Sequence, residues 1–282
     1  MNQPLLDVRG LVVEYGHGPG LHRAVDDVSF RIPRGGSLAV VGESGSGKST
    51  IARALVRLVK PAAGSITFDG VDLAGLTERQ LRPLRHRIQM VFQDPYGSLD
   101  PHLDAQQIVA EPIAVRGERS RSVRERRAAE LLDRVGLPRS ALHRRPHEFS
   151  GGQRQRIGIA RALASEPDLL VCDEATSALD VSVQAQVLDI LGTLRREQGL
   201  TFLFISHNLG VVRAVSDEVL VLRTGRVVEQ GPTEEVLQRP RDEYTRRLRR
   251  SVLEPALITG RKPREMVRQV AAARAAESAV AS

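Results

Sequence analysis

Gly42-Glu43-Ser44-Gly45-Ser46-Gly47-Lys48-Ser49-Thr50 is the stretch on which the fold turns. It satisfies the Gly-x4-Gly-Lys-Ser phosphate-loop pattern. Its glycines let the backbone wrap tightly around an anion with amides pointing inward. The flanks agree with that reading. Ser37 to Val41 is a short apolar strand that runs into the loop, and Ile51, Leu55 and Leu58 recur on one helical face. The spacing predicts a helix over Lys48–Leu58, ended by Pro61 and Gly64. A helix N-terminus adds partial positive charge to the cradle. Lys48 then serves as a point charge for β- and γ-phosphates, and the Ser49 hydroxyl as a ligand for Mg2+. An ordinary glycine-rich turn would need neither Lys-Ser at this spacing nor a strand before it.

Leu169-Leu170-Val171-Cys172-Asp173-Glu174 is an apolar strand ending in two acids. Beside a phosphate loop, such a strand delivers Asp173 to Mg2+ and puts Glu174 where it can orient or deprotonate an attacking water. Cys172, inside the apolar run, reads as packing.

Working outward, strands are expected at Leu5–Tyr15, Leu21–Ile32, Gly64–Phe68, Ile88–Phe92 and Thr201–Ile205. A hairpin is expected over Glu218–Leu222 and Arg226–Gln230, turning at Thr224-Gly225. A helix or helical turn interrupted near Pro83 is expected at Leu73–Arg87, and helices at Ala105–Val115, Ser122–Val135, Gly151–Ala164, Val181–Arg196, His207–Val215 and Pro232–Leu237. Alternating apolar strands and helices imply an α/β fold with a mostly parallel core sheet, an antiparallel β portion and an all-helical insert. Beyond about Arg241 the sequence is dense in Arg, with a solvated helix face preferred there to a lipid-binding patch. The final Ala-rich stretch has little to bury and reads as an appendage.

The chain has 282 residues, 41% hydrophobic and 27% charged, enough for a substantial core. Its formal charge of +7, carried almost wholly by Arg, permits acidic partners without selecting one. A single Cys excludes an intrachain disulfide framework or Cys-rich metal site. No apolar run approaches a membrane span, and the N-terminus does not read as a secretory signal. A cytosolic compartment with membrane attachment only through partners is the simplest expectation.

Six elements in order resemble the ATP-binding subunit of ABC transporters over roughly residues 5 to 250. The phosphate loop and the Asp173-Glu174 strand are joined by four more. Phe149-Ser150-Gly151-Gly152-Gln153 resembles the family signature, with Phe where Leu is usual. Ser177-Ala178-Leu179-Asp180 resembles the D-loop, Gln93 the Q-loop residue and His207 the switch histidine. Tyr15 stands where the family places an aromatic that stacks on adenine. The resemblance implies an α/β P-loop NTPase of ABC type, over residues 1–250. A helical subdomain is inserted at about 95–165, and residues 251–282 form an appendage.

It also implies two such chains dimerised head to tail, with ATP and Mg2+ held between the cradle of one (Gly42, Ser44, Gly45, Ser46, Gly47, Lys48, Ser49, Thr50) and the signature of the other (Ser150, Gly151, Gly152, Gln153). Glu174 would be the general base, His207 the γ-phosphate contact, Gln93 a contact to Mg2+ or water, Asp173 a metal ligand, and Asp180 a link between the two sites.

A narrower resemblance, to oligopeptide, dipeptide and nickel import ATPases, rests on Val91-Phe92-Gln93-Asp94-Pro95-Tyr96-Gly97-Ser98-Leu99-Asp100-Pro101 and on Pro240-Arg241-Asp242-Glu243-Tyr244-Thr245-Arg246-Arg247-Leu248. It implies two membrane permease subunits, a second ATPase chain and an extracytoplasmic solute-binding protein, with this chain peripheral on the cytoplasmic face of the inner membrane. Many members carry a C-terminal Cys cluster; the lone Cys172 cannot build one. The helix near Leu103–Val115 is expected to face the permease, with Tyr96, Leu99 and Leu103 either touching it or packing into the helical insert. The competing reading is a soluble ABC-type ATPase acting on nucleic acid or the ribosome. No nucleic-acid module is visible and none is expected. Nickel or another small solute is the alternative cargo.

Overall fold

A computed structural model describes residues 3–16, 18–94, 97–175, 179 and 181–253. Asp180, Tyr96, most of the Ser177–Asp180 element and the appendage beyond 253 therefore lie outside the described residues.

The chain opens with strands β1 (Leu6–Tyr15), β2 (His22–Ile32) and β3 (Ser37–Val41), then helix α1 (Lys48–Leu55). Next come β4 (Ala63–Phe68), the two-residue β5 (Val71–Asp72), the four-residue α2 (Glu78–Leu81) and β6 (Ile88–Val91). Three helices follow: α3 (Ala105–Val115), α4 (Arg121–Arg134) and α5 (Gly151–Ala164). The remainder is β7 (Leu169–Asp173), α6 (Val181–Gln198), β8 (Thr201–Ile205), α7 (Leu209–Val215), β9 (Glu218–Arg223), β10 (Arg226–Pro232), α8 (Thr233–Gln238) and α9 (Glu243–Leu253).

Two sheets result. One is antiparallel, in the order β2-β1-β4-β5; the other runs β10-β9-β3-β8-β7-β6 and is parallel except for the β9–β10 hairpin. The buried strands of the second sheet read as continuous apolar runs because both faces are covered. Leu38, Val40, Leu169, Val171, Leu203, Ile205, Leu220 and Leu222 point to one face. That face packs with α1 (Ile51, Ala52, Leu55) and with β1 and β2 of the antiparallel sheet. The alternate residues Ala39, Val41, Leu170, Cys172, Phe202, Phe204, Val219 and Val221 point to the other face, whose core extends through α3, α4, α5 and α6. The period of two along each strand thus separates two cores. Cys172 is buried, and burial pushes its thiol pKa up, as a packing residue requires. Among the described residues no helix is long and apolar enough to cross a membrane.

Leu73–Arg87, expected as a helix or helical turn interrupted near Pro83, forms the short α2 and a following 3-10 turn over Arg82–Leu84. Its apolar spacing is helical, but the Arg57 guanidinium takes the Leu73 and Leu76 carbonyls, at 2.9 and 3.1 Å, which a helix would have used itself. α1 stops at Leu55, since Arg57 turns left-handed (φ 56°), and Leu58 is left exposed rather than on the buried face. α7 begins at Leu209 because the Asn208 side chain caps the Gly210 and Val211 amides, so His207 stands on the loop before the helix.

Candidate functional site

The phosphate loop sits at the carboxyl end of β3, an interior strand between β9 and β8, where side chains from neighbouring strand ends converge. Two glycines are steric necessities. A Cβ on Gly47 (φ 104°) would lie 2.3 Å from the Ala24 carbonyl, and one on Gly42 (φ 154°) 2.2 Å from that of Leu222. The loop is therefore wedged between β2 and β9, and the Gly225 amide of the late hairpin bonds the Ser46 carbonyl at 2.9 Å.

Lys48 opens α1 and folds back into its own loop. Its ammonium donates to the Gly42 and Glu43 carbonyls at 2.8 and 2.7 Å and to Ser46 Oγ at 3.4 Å. Burial lowers its pKa, opposed by the negative charges of Glu174, Asp173 and Glu43. Ser49 Oγ donates to Asp173 Oδ1 at 2.9 Å, which joins the loop to the end of β7. Asp173 is buried, and burial raises its pKa against the pull of the Ser49 hydrogen bond. A buried carboxylate and a hydroxyl are hard oxygen donors, and a divalent cation would supply the charge that burial denies them, so the pair fits Mg2+.

Glu174 follows β7 with a left-handed backbone (φ 47°), uncommon for a residue with a side chain and frequent at working sites. Its carboxylate lies between two groups. Gln93 Nε2 donates to Oε2 at 2.8 Å, and His207 Nδ1 is 3.6 Å from Oε1. Gln93, Lys48, Ser49, Asp173, Glu174 and His207 thus gather at one end of one sheet, from β3, β6, β7 and β8. Tyr15 is exposed at the end of β1, in the same sheet as Ala24 of β2, whose carbonyl abuts the loop.

The Ser150–Gln153 group is built separately. Ser150 Oγ accepts from the Gln153 amide at 3.3 Å and Gln153 Oε1 accepts from the Ser150 amide at 3.0 Å, a reciprocal cap on α5. Gly151 faces open space. Phe149 is buried beneath the Arg144 guanidinium, 4.7 Å from its ring centroid, and fills the core position ahead of the cap. Gln155 on the same helix donates to the Phe92 carbonyl at 3.1 Å, which ties α5 to the segment carrying Gln93.

A family model described as ABC transporter matches residues 25–177. A Brucella ovis protein named "Putative peptide import ATP-binding protein" is 48% identical over 252 residues, 89% of this chain and 80% of that protein. The chain is an ATP-binding subunit of the ABC transporter family. It is also 47% identical to the Pectobacterium atrosepticum glutathione import ATP-binding protein over 94% of its own length, but spans only 43% of that longer relative. Among solved structures, an ATP-binding cassette in a dimeric post-hydrolysis state bound to ADP and Pi superposes with TM-score 0.77. It is 31% identical and covers 81% of this chain and 98% of that one. This ABC subunit accordingly has the family's mixed α/β P-loop fold with its helical layer, and the nucleotide-binding, ATP-hydrolysing character that goes with it.

One contact and one cavity were not legible in the sequence. Tyr244, in the Pro-x-x-x-Tyr-Thr element, accepts a hydrogen bond from the Glu43 amide at 3.0 Å. A cavity of about 230 Å³ opens between the two layers, lined by Leu55, Leu58, Leu81, Met90, Phe92, Pro112 and Arg161 among others. Leu99 is buried in the helical layer, so packing is the reading the structure has for it. Leu103 is half-buried, packing against that core while lining a pocket with α3 and α4 residues.

Proposed function

We propose that this chain is the ATP-hydrolysing motor of a peptide importer, with the roles that follow. The observation that carries the reading is the gathering of the Lys48 cradle, the Ser49–Asp173 pair and a Glu174 flanked by Gln93 and His207 at one sheet edge. The names of the Brucella relatives support peptides as cargo.

In this reading the loop amides of residues 42–50 wrap the phosphates, and Lys48 leaves its carbonyl partners for the β- and γ-phosphate oxygens. Ser49 and Asp173, joined by a hydrogen bond, would hold Mg2+ with Gln93 as a further ligand, and the ion would offset phosphate charge. Glu174 accepts a proton from the water that attacks the γ-phosphorus, while the bond to the β,γ-bridging oxygen breaks and ADP departs with that electron pair. Gln93 and His207 hold the Glu174 carboxylate, and His207 reaches the γ-phosphate. Tyr15 stacks on adenine.

Residues 1–250 act as the nucleotide-binding unit, the helical portion at about 95–165 presenting Ser150, Gly151, Gly152 and Gln153 to the ATP of a second ATPase chain, with Asp180 joining the two sites. Gly151, open to solvent in the single chain, leaves room for a partner's phosphate. Closure on ATP and reopening after hydrolysis would drive two permease subunits, supplied by an extracytoplasmic binding protein, from the cytoplasmic face of the membrane. The apolar cavity lined by Leu58, Met90 and Pro112 is the surface offered to a permease helix.

The test is reconstitution with a permease pair and a solute-binding protein of the same source. ATP-dependent peptide uptake that disappears with Lys48→Ala supports the reading. Hydrolysis without any membrane partner, stimulated instead by nucleic acid or ribosomes, would overturn it.

A further inference from the structure

The phosphate loop is held from outside as well as from within, and the outer hold comes from the far end of the chain. Lys48 Nζ donates to the Gly42 carbonyl at 2.8 Å. The next atom along, the Glu43 amide, donates to Tyr244 Oη at 3.0 Å, across 201 residues. Gly42 C=O and Glu43 N–H belong to one planar trans peptide and so point in opposite directions. That peptide is pinned on its inner side by the Walker lysine and on its outer side by a phenol.

Tyr244 is itself fixed. It is 5% exposed, and the Arg223 guanidinium covers its ring at 5.1 Å from the centroid. Its own amide donates to Asp242 Oδ1 at 2.7 Å. The Glu229 carboxylate on β10 accepts the Arg241 and Asp242 amides at 2.8 and 3.2 Å, anchoring the chain where α9 begins. α9 then packs on α7, the helix that follows His207, and on β10.

We propose that Tyr244 is a positioning residue for the ATP site: through the Glu43 amide it sets the tilt of the Gly42–Glu43 peptide and so the shape in which the loop receives phosphate. The proposal rests on reading residues 42–50 as the ATP cradle. A loop held in its binding shape serves bound ATP and the transition state alike. Releasing it therefore weakens ATP binding without slowing the bound complex. Because coupling is reciprocal, anything that shifts α9 biases nucleotide affinity by the same route.

The experiment is steady-state ATP hydrolysis by the full-length chain carrying Tyr244→Phe, which keeps the ring and its packing under Arg223 and removes only the hydroxyl. The expected result is a KM for ATP raised roughly threefold to tenfold, the worth of one hydrogen bond, with kcat within about twofold of wild type. Thr245→Val is the control. It removes the neighbouring buried hydroxyl on the same helix, which has no hydrogen-bond partner among the described residues, and should leave KM unchanged. An unchanged KM in Tyr244→Phe, or a fall in kcat alone, overturns the proposal. So does an equal rise in KM with Thr245→Val, which would mean general loosening of α9. Lys48→Ala in the same assay separates the underlying reading: if it hydrolyses ATP like wild type, the cradle assignment fails and the proposal with it.

Discussion

Gln93 Nε2 donates to Glu174 Oε2 at 2.8 Å, joining the loops that follow two adjacent parallel strands, β6 and β7. The bond fixes the carboxylate next to the buried Asp173. A general base removes a proton from water only with an oxygen free to accept it. Glu174→Gln preserves the shape and the hydrogen-bonding reach but cannot accept the proton. Hydrolysis is expected to fall by about 10²- to 10⁴-fold, the range for a lost general base, while ATP binding persists. Phosphate release in single turnover, alongside equilibrium ATP binding, checks both halves; an unaltered rate removes Glu174 from the role.

The glycines of the loop are not equivalent. Gly45→Ala meets no atom within 4 Å and pays only for a positive φ (80°), whereas Gly47→Ala drives a Cβ into the Ala24 carbonyl. The first is expected to cost about 1 kcal/mol of stability; the second about 3 kcal/mol or more, and to lose ATP binding as well. Urea unfolding and nucleotide titration of the two variants measure the difference. Equal effects would show that backbone conformation alone sets the cost.

An ion network joins the two sheets at the opposite end from the site. Asp69, in the β4–β5 turn, accepts from Arg34 and from Arg87, each at 2.6 Å, and Arg87 also holds Asp168 at 2.6 Å ahead of β7. The Arg87 hydrogen bond, chief among the causes, lowers the Asp69 pKa. Its stabilisation is therefore present above the unfolded-state pKa and lost as pH falls through the lower folded-state value. Asp69→Asn should destabilise by about 1 kcal/mol or less near neutrality, screening being strong at a partly exposed pair, and by nothing once Asp69 is protonated in both states. Chemical denaturation at neutral and acid pH follows the convergence; a constant gap would assign the loss to packing.

Leu58 is 55% exposed at the mouth of the cavity between the layers. An apolar side chain there has little to hold within the chain. Leu58→Asp is expected to leave the melting temperature within about 2 °C, as an exposed substitution does, but to reduce co-purification with the permease subunits several-fold. Undiminished co-purification would place the docking surface elsewhere.

Much of the site was legible before folding is considered. Lys48 and Ser49 follow from loop spacing, Asp173 and Glu174 from an apolar strand that ends in acids, and α5 keeps the predicted Gly151–Ala164 boundaries because Ser150 and Gln153 form a local cap. Where local signals were overruled, a distant group did it. Arg57 takes the Leu73 and Leu76 carbonyls, which keeps the helical part of Leu73–Arg87 short, and Leu99 is buried in a core assembled from α3, α4 and α5.

The amino-acid order determined the elements and the chemistry each carries, since propensity, capping and two-residue alternation act over a few neighbouring positions. Only the tertiary structure decided that Gln93 meets Glu174 across 81 residues and that Tyr244 grips the Glu43 amide across 201. Such contacts depend on strand order and helix docking, which arise from burying both faces of one sheet at once, and no local stretch of sequence encodes that.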